Sequence, residues 1–105
     1  MLNPEIAKLL NEQINKEFFS AYLYLDIANY YADQGLNGFG NWYFVQSQEE
    51  LDHALLIRQY LLNNGEPVTL TEIAAPNEKY NNFREPLVKA FEHEKFVTAS
   101  INKIY

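Results

Sequence analysis

The sequence predicts an all-α fold, a bundle of three long helices in which the first two form a hairpin and the third is reached by a long crossover. Three observations carry this. Apolar residues recur every three to four positions over two long stretches, each stretch stops at a glycine, and the segment after the second holds two prolines and no helical period.

The first helix opens at Asn3, a candidate N-cap, with Pro4 at the first helical position and Glu5 in the first turn, and it stops at Gly35. Its inward stripe reads Ile6, Leu10, Ile14, Ala21, Tyr24, Ala28 and Tyr31. The second helix runs from about Asn37 to Asn64 and ends at Gly65, with Phe39, Tyr43, Ile57 and Leu61 facing inward. The turn at Gly35 is short, so these two helices lie antiparallel. From Gly65 to Asn81, Pro67 and Pro76 forbid a continuous helix, and the Val68, Leu70 alternation points to extended chain. Such a stretch reaches about 55 Å at roughly 3.3 Å per residue, more than the roughly 40 Å of the second helix. It therefore returns the chain along the bundle and leaves the third helix parallel to the second. That third helix starts near Asn82, with Glu85 three residues on and Pro86 early enough to lack an intrahelical partner. Its stripe is Leu87, Ala90, Val97, Ile101 and Ile104. No internal repeat appears, so residues 1–105 read as one domain.

Composition narrows the function. Fourteen acidic against eight basic residues give a net charge of −6, which opposes nucleic-acid binding and favours cationic guests. The absence of cysteine removes disulfides and thiolate metal sites and fits a reducing compartment. No apolar run is long enough to span a bilayer, and Glu5 and Lys8 break any leader-like pattern at the start, so the expected location is cytoplasmic, away from membranes. With 48% hydrophobic residues in only 105, a domain this small carries either a dense core or apolar surface left for a partner.

Three places interrupt the apolar stripes at matching depth. Glu17 lies between Ile14 and Ala21 on the first helix, Glu50 and His53 between Gln46 and Ile57 on the second, and Glu94 between Ala90 and Val97 on the third. All are expected to point into the core. Buried carboxylates without partners cost several kcal/mol each and repel one another, whereas one or two divalent cations remove that cost. Glu50 and His53 have the i, i+3 spacing that sets a carboxylate beside an imidazole. Oxygen-rich ligands with one imidazole suit iron or manganese, with zinc as a competitor. Tyr24, two turns after Glu17 on the same face, is placed to hydrogen-bond a ligand, to donate an electron, or simply to fill the core. His93 reads as a surface histidine, Asp52 as solvated, and Trp42 as a core or interface anchor.

Taken together, Glu17, Tyr24, the run Gln48 to Ala54, Asn64-Gly65-Glu66-Pro67-Val68 and Phe91-Glu92-His93-Glu94 resemble a bacterial non-haem ferritin of the catalytic type, from the first helix to the last residue. The resemblance implies a ferritin-like bundle with a di-iron centre. Glu17 and His53 would hold one iron, Glu94 the second, and Glu50 would bridge both. Glu49 matches a ligand of the third iron site. It also implies ferroxidase activity, oxidation of Fe(II) by dioxygen, with Fe(III) mineral stored in a homo-oligomeric 24-subunit shell. Haem is not expected, because position 52 is Asp and Met1 is the only methionine, and a rubrerythrin would carry cysteine pairs.

A ferritin's fourth helix has no counterpart in these 105 residues, and that helix normally supplies further ligands to the second and third iron sites. Three explanations stay open: a piece of a longer ferritin, a helix supplied in trans, or two chains completing each other. The alternative to a working ferroxidase is a catalytically impaired helical self-assembly module.

Overall fold

The computed structural model describes residues 2–104; the domain limits Met1 and Tyr105 lie outside them. Three α-helices, α1 (Pro4–Asp33), α2 (Asn37–Asn63) and α3 (Arg84–Asn102), account for all regular structure among the described residues. Asn3 caps α1 as expected, its Oδ1 accepting the Glu5 N–H at 2.8 Å, which satisfies one of the donors a helix start leaves free. Gly35 turns the chain with φ +79°, a left-handed conformation open to glycine without a Cβ clash. The Leu36 N–H then closes the end of α1 on the Tyr31 carbonyl at 2.8 Å.

Helices α1 and α2 pack antiparallel and in close contact. A Cβ at Gly40 would sit 3.3 Å from the Ala32 backbone nitrogen, so a side chain there would push the helices apart. Two apolar clusters result. Leu23, Tyr24, Ile27, Ala28, Tyr31, Tyr43 and Ala90 form one, and Ala7, Ile14, Ala54 and Leu61 the other. In chain order the buried polar residues Glu17 and Ser20 of α1, and Ser47 and Glu50 of α2, lie between the two. Leu61 is fully buried, so Leu61→Ala is expected to lower stability by about 2–5 kcal/mol, read as a reduced midpoint in urea.

The crossover does what its length demands. Asn11 and Asn15, one turn apart on α1, hold it through their carboxamides. Asn11 donates to the Pro67 carbonyl at 3.2 Å and accepts the Thr69 N–H at 2.9 Å, while Asn15 donates to Thr71 Oγ1 and the Glu72 carbonyl, both at 2.8 Å. Further on, Tyr80 packs edge-on against Tyr30, ring centroids 5.3 Å apart. The segment therefore tracks α1 in its own direction and delivers α3 at the far end, where the Tyr31 hydroxyl donates to the Phe83 carbonyl at 2.6 Å. Helix α3 then runs antiparallel to α1 and parallel to α2, as the sequence predicts. It begins at Arg84, close to the expected start near Asn82, whose Oδ1 accepts the N–H groups of Arg84 and Glu85, each at 3.0 Å.

One arrangement departs from expectation. Of the two other helices, α3 packs on α1 only, and among the described residues it makes no close backbone contact with α2. Side chains that face the α2–α3 cleft therefore lack a covering neighbour. Phe39 and Leu87, expected inward, are 50% and 39% exposed for this reason. No helix of the described residues is long and apolar enough to cross a membrane.

Candidate metal centre

The inward stripe of α1 places Gln13, Glu17, Ser20 and Tyr24 along one face, each buried to 2% exposure or less. Opposite them α2 supplies Glu50, also buried. Gln13 Nε2 donates to Glu17 Oε1 at 3.1 Å and so fixes that carboxylate's orientation. The second oxygens, Glu17 Oε2 and Glu50 Oε2, are buried with no hydrogen-bond donor. Both face His53 Nδ1, at 3.8 Å and 3.5 Å respectively, and ligand atoms of the three residues all lie within 4.8 Å of one another.

Two acceptor oxygens deprived of donors are costly in a protein interior. Burial, and next the Glu17 carboxylate beside it, push the Glu50 carboxyl far above the usual carboxylate range. A cation between the two oxygens and the imidazole nitrogen replaces the missing donors and cancels the repulsion. The donor set, two carboxylates and one imidazole, fits iron, manganese or zinc.

Glu94, Tyr24 and Glu49 stand apart from this triad but line the adjoining cleft. Together with Glu50 and His53, and with Trp42 and Phe91 on its rim, they enclose about 510 Å³ between α2 and α3. The Tyr24 hydroxyl donates to Glu94 Oε1. Burial first, and then this carboxylate, raise the Tyr24 pKa, so the phenol keeps its proton.

The expectation that every acidic and imidazole candidate points into the core needs correction. Glu17 and Glu50 are buried, but the His53 side chain is 54% exposed and Glu94 is exposed. Both face the open cleft. Trp42 likewise sits exposed on the rim. On α3 it is His93, read as a surface residue, that turns inward along the stripe Ala90, His93, Val97, Ser100. One residue is about 100° of helix, so packing His93 on α1 swings Glu94 toward α2. His93 Nε2 lies 2.6 Å from Ser20 Oγ, whose own proton goes to the Lys16 carbonyl at 2.9 Å. The histidine is therefore the donor, through Nε2–H. Sequence reasoning also missed Gln13; its place four residues before Glu17 on the same stripe was the available signal.

The model of the ferritin-like domain matches residues 7–105, nearly the whole chain.

The chain belongs to the ferritin family.

A bacterial non-heme ferritin of Campylobacter jejuni is 39% identical to it over 99% of this chain and 62% of its own length. Among solved structures, the open pore ferritin of Archaeoglobus fulgidus superposes with a TM-score of 0.93 at 37% identity, over 98% of this chain and 63% of that one. The Chlorobium tepidum ferritin gives 0.94 at 31% identity, over 99% and 64%. This ferritin chain thus spans less than two thirds of the relatives it matches, and its three helices are the part they share.

Proposed function

We propose that this ferritin chain is an iron-storage and iron-detoxifying ferroxidase that takes up Fe(II), oxidises it with dioxygen at a paired-iron centre, and hands Fe(III) to a mineral inside a homo-oligomeric shell in the cytoplasm. The observation that carries this is the pair of orphaned oxygens, Glu17 Oε2 and Glu50 Oε2, converging with His53 Nδ1. Glu17 and His53 hold one Fe(II), Glu94 holds the second, Glu50 bridges them, and Glu49 at the cleft receives a third. Tyr24 hydrogen-bonds Glu94 beside the centre. Each Fe(II) gives up one electron, so a pair reduces dioxygen by two. Carboxylates favour the extra positive charge of Fe(III), which is the direction the oxidation needs. No haem takes part.

Aerobic Fe(II) oxidation by this chain, followed by ultraviolet absorbance, tests the reading. Oxidation much faster than in buffer supports it; a rate equal to buffer overturns it for this chain.

A second reading, a helical self-assembly module with weak iron binding, draws on a different observation. Helix α2 exposes Phe44, Leu51, Leu55 and Leu62, apolar surface of a kind that marks interaction sites. Assemblies larger than a monomer in sedimentation, without iron oxidation above buffer, are the result expected for that module. Assemblies that also oxidise iron are the result expected for the ferroxidase.

A further inference from the structure

We propose that His93 is the positioning residue that fixes the rotation of α3 on α1: its hydrogen bond to Ser20, rather than apolar burial, selects the face that α3 turns inward. The consequence, that Glu94 is kept in the cleft for iron, rests on the reading above; the rotation itself does not.

Helix α3 carries two faces about 100° apart. The one laid on α1 is Ala90, His93, Val97 and Ser100. The other is Leu87, Phe91, Glu94 and Ile101, which share the spacing of a single stripe. This second face is bulkier and more apolar, yet it is the one left out: Leu87 and Phe91 are 39% and 62% exposed, whereas Ala90 and Val97 are each 7% exposed. Apolar burial alone would turn Leu87 and Phe91 onto α1, and no close backbone contact with α2 holds them where they are. The Glu94 charge resists burial on α1, but it does not distinguish the cleft from open solvent on the far side of α3.

Polar contacts on the α1 side set the angle. Ser20 is fully buried and its own proton is committed to the Lys16 carbonyl, so its oxygen, 2.6 Å from His93 Nε2, serves the imidazole only as an acceptor. The imidazole is flanked by Phe19, ring centroids 5.6 Å apart, and by the edge-on Tyr24 ring. Two turns further along α3, Ser100 Oγ accepts from Lys16 Nζ at 3.2 Å. Hydrogen bonds weaken steeply with angle and distance, and a buried N–H that loses its acceptor is penalised. The His93–Ser20 contact therefore disfavours every other rotation that keeps the imidazole buried, which contacts between small apolar residues do not.

The chain has no cysteine, so single introduced thiols report the rotation in metal-free protein. Val97→Cys probes the α1 side and is expected to react slowly with a thiol reagent; Phe91→Cys probes the cleft side and is expected to react fast. Adding Ser20→Ala, which removes only the acceptor oxygen, should speed the thiol at position 97 by about tenfold, while hydrogen exchange of the α3 amides stays as slow as before. That pairing separates rotation from undocking, because a helix of 19 residues without its support is only marginally stable and would exchange quickly. His93→Ala should behave as Ser20→Ala does. His93→Gln, whose carboxamide N–H can donate to the same oxygen, should keep the thiol at position 97 slow. Unchanged labelling in Ser20→Ala, fast labelling in His93→Gln, or amide exchange that rises with the labelling would overturn the proposal. None of these measurements uses iron, so a failed Fe(II) oxidation assay on the unmodified chain removes the ferroxidase reading and leaves the rotation intact.

Discussion

Glu50→Ala is expected to abolish paired-iron binding and rapid Fe(II) oxidation while leaving the helix content nearly intact. Glu50 belongs to the triad and also lines the cleft beside Glu94, so in the proposed centre it would be the carboxylate shared by both halves. Its Oε2 lies 3.5 Å from His53 Nδ1 in the triad, and the same side chain lines the cleft that contains Glu94. Removing it leaves Glu17 and His53 on one side and Glu94 on the other with nothing to join them. The fold should not suffer, because alanine is the strongest helix former and the lost group is a buried acid beside another buried acid. Removing an acid whose ionisation is so disfavoured there takes away a buried polar group with no partner. Iron stoichiometry by equilibrium dialysis, with far-ultraviolet circular dichroism alongside, checks both halves. Two irons still bound per chain in the variant would overturn the bridging assignment.

The metal-free chain is expected to lose stability as pH rises above the ordinary carboxylate range, and divalent metal is expected to restore it. Burial and the Glu17 carboxylate hold the Glu50 pKa raised in the folded state. In the unfolded chain a glutamate titrates as a free side chain does, at about pH 4.3. Between those two values the folded protein keeps a proton that the unfolded chain has released. Stability contributed by that proton is therefore fully present below the unfolded pKa and is lost as pH climbs toward the raised folded one. Thermal melts without metal should accordingly fall from about pH 5 toward pH 8, and Glu50→Gln, which cannot ionise, should flatten the slope. Metal binds the deprotonated pair and only the folded chain assembles it, so added metal should raise the melting temperature most at the alkaline end. A melting temperature that rises with pH in the absence of metal would contradict the assignment of Glu50 as the buried, strained acid.

Helix limits were legible because their signals are local. Asn3, Pro4 and Gly35 act on neighbouring backbone groups, and the extended crossover followed from Pro67, Pro76 and simple reach. Glu17 and Glu50 were legible as well, because the stripes that carry them are the ones α1 and α2 pack together, whereas Glu94 met the same criterion and is exposed because α3 turns another face to α1. Tyr24 was placed correctly on the face of Glu17, and its bond to Glu94 was one of the roles open to it.

The burial of Glu17 and Glu50, the antiparallel hairpin and the direction of α3 follow from period, caps and length, quantities that a single chain carries along itself. The rotation of α3 about its own axis does not. Whether His93 or Glu94 meets α1 differs by about 100° of helix, and that choice is made by partners far away in sequence, Ser20 and the Tyr24 ring against His93. The same holds for the gap between α2 and α3, which exposes His53, Phe39 and Leu87. Amphipathic spacing shows that a face is apolar or acidic; only packing between helices decides which neighbour, if any, covers it.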